Sequence, residues 1–232
     1  MAFEKEKENA AAAAIEFVED GMTVGLGTGS TAKFFVEMLA EEIADGLMVK
    51  GVPTSEDTRR LAESLGVPLL PIEHVDRIHL TVDGADEVDG DAQLIKGGGA
   101  ALLREKIIAN ASDLMVVIAD PSKVVDVLGA FPLPVEVTPF GYTITAKKVF
   151  DALKAAGVIR PKIDVRTAGG SKPLVTDGGN YILDCQCGVI PDAPKAAALL
   201  SNVPGVVEHG LFIGMARTVI VGDEDGASVI EH

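Results

Sequence analysis

Short apolar runs alternating with helically spaced segments constrain this chain more than any other feature. Met22 to Leu26, Leu47 to Val52, Ile78 to Val82 and Leu114 to Ala119 each read as a buried strand. Helical patterns lie around them. A first helix runs from about Glu4 to Glu19 and stops at Asp20-Gly21. Phe34, Phe35, Met38, Leu39 and Ile43 recur at helical spacing, and Ser55 caps a further helix that Gly66 ends. Lys96-Gly-Gly-Gly99 opens another, through about Asn110. Such alternation predicts an α/β domain with a mostly parallel sheet.

The pattern changes after Gly129. Phe131-Pro-Leu-Pro134 leads into a strand at Val135 to Val137, a helix from about Thr143 to Ala156, and strands near Lys162 to Thr167, Leu174 to Thr176 and Tyr181 to Cys185. A helix over Ala193 to Ser201 completes a small α+β unit. Gly205 to Val229 returns to short strands, with Val219 to Val221 the clearest, and is expected to rejoin the first sheet. The expected domains are therefore 1–129 with 206–232, and 130–205.

Twenty Lys and Arg against thirty-five Asp and Glu give a net charge of −15. That density repels polyanions, so binding to nucleic acid or an anionic membrane surface is not expected. No stretch approaches the roughly 18 apolar residues of a membrane helix. The charged opening, Met1-Ala-Phe-Glu-Lys-Glu-Lys-Glu8, lacks a signal-peptide core, which predicts a cytoplasmic protein. Cys185 and Cys187 sit two apart on one strand face and read as reduced core residues. His74, His79, His209 and His232 show no metal-ligand spacing, so no metal site is expected.

Three polar turns stand at strand and helix ends, where open α/β sheets bind ligands. Gly25-Leu-Gly27-Thr28-Gly29-Ser30-Thr31 has Ser30 in place of the last fingerprint glycine and lacks a P-loop ending. Its glycines, hydroxyls and following helix N–H groups suit a phosphate monoester, though a plain strand–helix turn accounts for the same residues. Asp83-Gly84-Ala85-Asp86-Glu87, with Asp89 and Asp91 beyond, crowds carboxylates at a strand end. The grouping is electrostatically unfavourable and suits catalysis or cation binding as well as an acidic solvated turn. Lys96-Gly97-Gly98-Gly99 sets an N–H-lined nest beside a cation, with Glu105 on the second turn of the helix that follows. A solvated Glu–Lys face is the alternative there. Asp120-Pro-Ser122-Lys123 supplies a further cation after a strand.

The order and spacing of these motifs closely resemble ribose-5-phosphate isomerase, type A, over essentially the full length. The marks are Val24 to Thr31, Val82 to Glu87, Lys96 to Lys106, Ile118 to Lys123 and Phe131 to Val137, followed by Pro204-Gly-Val-Val207 and Gly210-Leu-Phe212. The resemblance implies a cofactor-free and metal-free isomerisation of ribose 5-phosphate and ribulose 5-phosphate, a step of the non-oxidative pentose phosphate pathway. It also implies a Rossmann-like catalytic domain with helices on both faces, a smaller α+β lid domain, and a homodimer or homotetramer. By the same resemblance Glu105 transfers the carbon-bound proton, Asp83 and Asp86 serve ring opening and hydroxyl proton traffic, and Lys96 polarises the developing enediolate. Thr28, Gly29, Ser30 and Thr31, with Lys123 and Lys7, match substrate and phosphate contacts, and Gly84, Ala85, Gly97, Gly98 and Gly99 complete the substrate loops. Phe140-Gly-Tyr-Thr-Ile-Thr-Ala146 departs from the family's forms.

The chemistry implied needs one base to move a proton between C1 and C2, and groups to handle the O1 and O2 protons and charge. A carboxylate, an aspartate pair and a lysine supply those roles. Two other readings fit the same loops: a sugar-phosphate-sensing module, which needs no Glu105, and a phosphosugar deaminase or hydrolase of similar fold. Turnover of ribose 5-phosphate is expected to be equal before and after exhaustive chelation with EDTA. Loss restored by a divalent ion would overturn the metal-free route.

Overall fold

The computed structural model describes residues 3–232. The chain runs through α1 (Glu4–Ile15), β1 (Thr23–Leu26), α2 (Ser30–Ala44), β2 (Lys50–Pro53), α3 (Glu56–Ser64) and β3 (Ile78–Gly84). Next come β4 (Glu87–Val88), β5 (Leu94–Ile95), α4 (Leu102–Ala111) and β6 (Ser112–Ala119). After them follow β7 (Leu133–Val137), α5 (Tyr142–Ala155), β8 (Lys162–Val165), β9 (Tyr181–Gln186) and α6 (Ala193–Ser201). The last elements are β10 (Val206–His209), β11 (Leu211–Phe212), β12 (Thr218–Gly222) and β13 (Ala227–Glu231). No helix among the described residues is long and apolar enough to cross a membrane.

Two compact units form. One holds the residues up to Ala85, Arg104–Val124 and Gly214–His232; the other holds Asp86–Leu103 and Val125–Ile213. The first is built on a six-stranded sheet of order β13-β12-β6-β3-β1-β2, all parallel except the β13 edge. Helices cover both faces, as a parallel sheet requires. Ala10, Ala11 and Ala14 of α1 and Phe35, Val36 and Leu39 of α2 pack against Val24, Leu26, Leu80 and Val82. Residues alternate across a strand, so Gly25 faces the other way, toward Ile108 of α4. The sheet reverses direction at β1, which has β2 on one side and β3 on the other. That topological switch opens a crevice at the carboxyl ends of β1 and β3.

Helix α1 is charged outside and alanine inside, and its close seat depends on a glycine. A Cβ on Gly222 of β12 would overlap the Glu6 carbonyl oxygen. Asn9 Nδ2 also donates to the Asp223 carbonyl at 2.7 Å. The helix stops at Ile15, short of the Glu19 expected, and single turn bonds carry the chain on through Phe17 and Val18.

In the second unit an antiparallel sheet of order β10-β7-β9-β8 packs Val135, Val137, Leu183 and Cys185 against Val149, Leu153 and Leu200 of α5 and α6. A small sheet, β11-β5-β4, lies in the same unit. This unit is larger than the 130–205 segment read from composition, because β4 and β5 pair with β11 while β10 pairs with β7. Strands of two residues leave no periodicity to read. In the returning segment only β12 and β13 join the first sheet. Leu174 to Thr176 is not a strand: Leu174 N–H donates to the Arg166 carbonyl, and one isolated bridge joins Thr167 to Pro173. The exposed Gly169 and Gly170, both at positive φ, lie in the bend between the two bridged residues.

Cys185 and Cys187 are free and buried, on or next to β9. Burial pushes the Cys185 thiol well up, and burial with the nearby Glu87 carboxylate pushes Cys187 up to about 12. Both therefore stay protonated and unreactive at neutral pH. In the unfolded chain they ionise near their ordinary value of about 8.5, so above that pH the unfolded state binds fewer protons and stability falls as pH rises toward 12. A thiol reagent at pH 8 is expected to label neither cysteine until urea unfolds the protein. Stoichiometric labelling of the native form would overturn this.

Candidate active site

The switch-point crevice is shaped first by missing side chains. A Cβ on Gly25 would overlap Thr81 Oγ1 and come within 2.7 Å of Ile108 Cγ2. A Cβ on Gly27 would overlap the Asp83 carboxylate and lie 2.6 Å from Asp83 Cα. The two glycines thus let β3 side chains and α4 occupy one sheet face. From sequence they read as a cradle for an anion; the structure gives them a packing role as well. Asp83, fully buried, accepts hydrogen bonds from Thr28 N–H (3.1 Å) and Gly84 N–H (2.7 Å) through Oδ1. Gly27 N–H donates to the Val82 carbonyl at 3.0 Å, extending the β1–β3 ladder into the loop.

Gly29 adopts φ 120 and ψ 179, a conformation open only to glycine, and starts α2 at Ser30. It leaves the Ser30 and Thr31 amides at a helix N-terminus, a site suited to an anion. Lys7 of α1 reaches the same loop, its Nζ donating to Ser30 Oγ at 3.0 Å. Thr28 Oγ1 sits in a hydroxyl cluster with Thr54 (2.7 Å), Ser55 (2.8 Å) and Thr58 (3.0 Å). Sequence reasoning found Ser55 as a cap, and its Oγ does accept from Thr58 N–H. It missed the cluster, which only the β1–β2 pairing assembles.

Glu105 is 3% exposed on α4, one turn before Ile108, so both lie on the helix face turned to the sheet. Asp83 shares the Thr81 side of β3, the side that Ile108 meets. Arg104 points elsewhere, to Glu56 Oε1 at 3.0 Å, while Arg59 holds Oε2 at 2.7 Å. The two guanidiniums, Arg104 first, hold the Glu56 carboxyl below the usual range. A cavity of about 660 Å³ beside this pair is lined by Val52, Glu56, Arg104 and Ile108 among others, and neither Asp83 nor Glu105 lines it. Lys123 is half-buried on a one-turn helix after β6, where Asp120 Oδ1 accepts from Ser122 N–H at 3.0 Å. β6 neighbours β3, so Lys123 stands at the same sheet end as Asp83.

The second unit holds the remaining candidates. Asp86 N–H donates to the Ile95 carbonyl (2.8 Å), and Asp86 Oδ2 accepts from Gly98 N–H at 2.7 Å. Lys96 is 2% exposed, with Nζ 5.5 Å from the centre of the Phe212 ring, a cation–π contact. Gly97 has φ +104, and Ala100 at φ 63 turns the chain toward α4. The helix begins at Leu102, later than the glycine run suggested, so Gly97 to Gly99 form a loop ahead of it. The acidic run separates by task. Glu87 accepts from Gly129 N–H (2.6 Å) and Phe131 N–H (2.5 Å), and Asp89 accepts from Asp91 and Gln93 N–H. Among the described residues no three His, Cys, Asp or Glu side chains are grouped to hold a metal ion.

The family profile described as ribose 5-phosphate isomerase A (phosphoriboisomerase A) matches residues 50–226. A ribose-5-phosphate isomerase A of Maricaulis maris is 59% identical over 228 residues, 98% of each chain. One from Rhodopseudomonas palustris strain TIE-1 is 56% identical over 99% of this chain and 98% of its own. The solved ribose 5-phosphate isomerase A of Methanocaldococcus jannaschii superposes with a TM-score of 0.90 at 36% identity, covering both chains fully. A D-ribose-5-phosphate isomerase in complex with phospho-erythronic acid gives 0.91 at 38% identity, again over both whole chains.

Gly27→Ala tests the packing that shapes the crevice. The added methyl meets Asp83 backbone, which has no rotamer by which to yield. We expect a loss of about 1–3 kcal/mol in urea unfolding, the range for overpacked sites. Gly90→Ala, in open space at ordinary φ, is expected to change stability by under about 0.5 kcal/mol.

Proposed function

We propose a division of labour among these residues that starts from one plain fact: the chain belongs to the ribose 5-phosphate isomerase A family. It is an isomerase that interconverts ribose 5-phosphate and ribulose 5-phosphate. In the open-chain aldose, the reaction moves a proton from C2 to C1 and another from O2 to O1, through an enediolate. Nothing is oxidised or reduced overall.

The observation that carries the assignment is the pair of buried carboxylates, Asp83 at 0% and Glu105 at 3% exposure, on the same side of the sheet. We assign the carbon-bound proton to Glu105: as base it takes the proton from C2, and as acid it returns it to C1. Asp83 and Asp86 take the hydroxyl protons and open the sugar ring. Lys96, held out of solvent against Phe212, stabilises the negative charge that grows on the enediolate oxygens. Both aspartates are oriented by backbone N–H groups, Asp83 by Thr28 and Gly84 and Asp86 by Gly98.

The phosphate falls to the Thr28–Thr31 loop. Ser30 and Thr31 amides, the Lys7 ammonium and Lys123 supply donors and charge, and binding energy gained there fixes the reacting carbons. Phe140 is 94% exposed and Ile144 67% exposed, both in the segment that departs from the family's forms. Apolar groups so displayed support a homodimer or homotetramer.

Glu105→Gln keeps shape and hydrogen bonding but cannot accept the carbon-bound proton. kcat is expected to fall by about 10² to 10⁴, the usual worth of a general base, with KM little changed. Deuterium wash-in from solvent to the substrate carbon should slow by the same factor. Near-normal turnover in the folded variant would pass the base role to Asp83 or Asp86.

A further inference from the structure

Arg166 follows β8 and was not singled out by any sequence motif, yet it holds the Lys96–Gly99 loop. Its backbone is fixed on both sides: its N–H donates to the Ile182 carbonyl and its carbonyl accepts from Leu174 N–H, each at 2.8 Å. Its side chain is 15% exposed. Asp184 of β9 grips it in a fork, with Nε to Oδ2 at 3.0 Å and Nη2 to Oδ1 at 2.6 Å. Nη1 then donates to two successive carbonyls, Gly97 at 2.9 Å and Gly98 at 3.0 Å.

Two carbonyls converging on one nitrogen constrain more than themselves. A trans peptide points its N–H opposite to its C=O. With the Gly97 carbonyl on Arg166, the Gly98 N–H must face away, and it does, reaching Asp86 Oδ2 at 2.7 Å. With the Gly98 carbonyl also on Arg166, the Gly99 N–H faces the same way. Three successive glycines flip their peptides easily, and parallel carbonyl dipoles repel unless a cation lies between them. The guanidinium supplies that cation, and its planar fork fits a carboxylate on one edge while a free nitrogen meets the loop.

We propose that Arg166, clamped by Asp184, is a positioning residue for the isomerisation. It locks the 97–98 and 98–99 peptides so that Asp86 stays oriented and the Gly99 N–H faces the charge developing on the enediolate. This rests on the proposed reading of Asp86 and Lys96 as groups of the reaction. Arg166 directs its guanidinium to Asp184 and to the Gly97 and Gly98 carbonyls, and acting through that loop its loss is expected to lower kcat more than it changes KM.

The test uses the full chain with Arg166→Ala, Arg166→Lys and Asp184→Asn, each checked for folding by circular dichroism and thermal melting. For Arg166→Ala we expect kcat to fall on the order of 10², as for a displaced reacting group, with KM changed by less than about threefold. Inhibition by phospho-erythronic acid, whose carboxylate mimics the enediolate oxygens, should weaken by a similar factor. Free guanidinium at a non-denaturing concentration should restore about tenfold of the lost kcat, a response that a merely structural role does not give. Arg166→Lys keeps the charge without the fork and should fall between. Should Arg166→Ala not fold, Arg166→Lys and Asp184→Asn carry the test, with kcat lowered about tenfold and KM held. A folded Arg166→Ala with kcat within twofold of the parent overturns this proposal alone. So does a kcat loss with unchanged phospho-erythronic acid inhibition and no guanidinium rescue. A parent protein that binds ribose 5-phosphate without turnover overturns the functional reading beneath it.

Discussion

The sheet unit depends on β1 and the residue that follows it presenting no side chain at two positions on one face. Gly25 and Gly27 bring β3 so close that Thr81 and Asp83 fill the space their own Cβ atoms would take. Ile108 closes the same space from α4, which places the helix and hence Glu105. A larger residue at either glycine separates strand from helix, and with them the two carboxylates assigned to proton transfer. The glycines usually read as room for a ligand are here room for the protein itself. Two residues later the packing ends: of the three glycines of this loop, only Gly29 has open space around its would-be Cβ.

Both aspartates assigned to the reaction, and the glycine loop beside one of them, are oriented through peptide groups. Asp83 hangs on Thr28 and Gly84 amides, Asp86 on the Gly98 amide, and the Gly97 and Gly98 carbonyls on Arg166. Backbone donors carry fixed dipoles that need little reorganisation as charge moves through the site. Two further buried carboxylates serve the framework, Glu87 through backbone amides and Glu136 through the Thr176 hydroxyl and the Asn180 side-chain amide.

Long elements with a clear period were legible from residues alone: α2, α3, α5, α6 and the strands β1, β3 and β6 lie where hydrophobic spacing and caps put them. The Gly27–Thr31, Asp83–Asp86 and Lys96–Gly99 loops were legible as motifs, and their joint order pointed to the family. What spacing could not show was set by distant pairing. β4, β5 and β11 are two residues each and form a sheet only when residues 94 and 212 meet. Leu174 to Thr176 reads as a strand by composition, but its N–H groups go to the Arg166 and Asn180 carbonyls and only one bridge, Thr167 to Pro173, forms beside it. Thr54 and Thr58 surround Thr28 only through β1–β2 register, and Arg166 stands about seventy positions from the loop it holds. Acidic residues drawn together by sequence proximity proved to have separate partners, a distinction that needs coordinates.

The seat of α1 on β12 sets an order of events. Asn9 and Asp223, which join across that contact, are 214 positions apart. At roughly 5–20 residues per second of synthesis, about 10–40 s pass before the strand that receives the helix exists. Through that interval α1 has its alanine face to set against α2 and, later, Val116 and Ile118 of β6, without the Gly222 seat. A nascent chain can therefore assemble the β1–β3 crevice long before α1 takes its final seat, so the Lys7–Ser30 bond is completed last although both residues are made among the first.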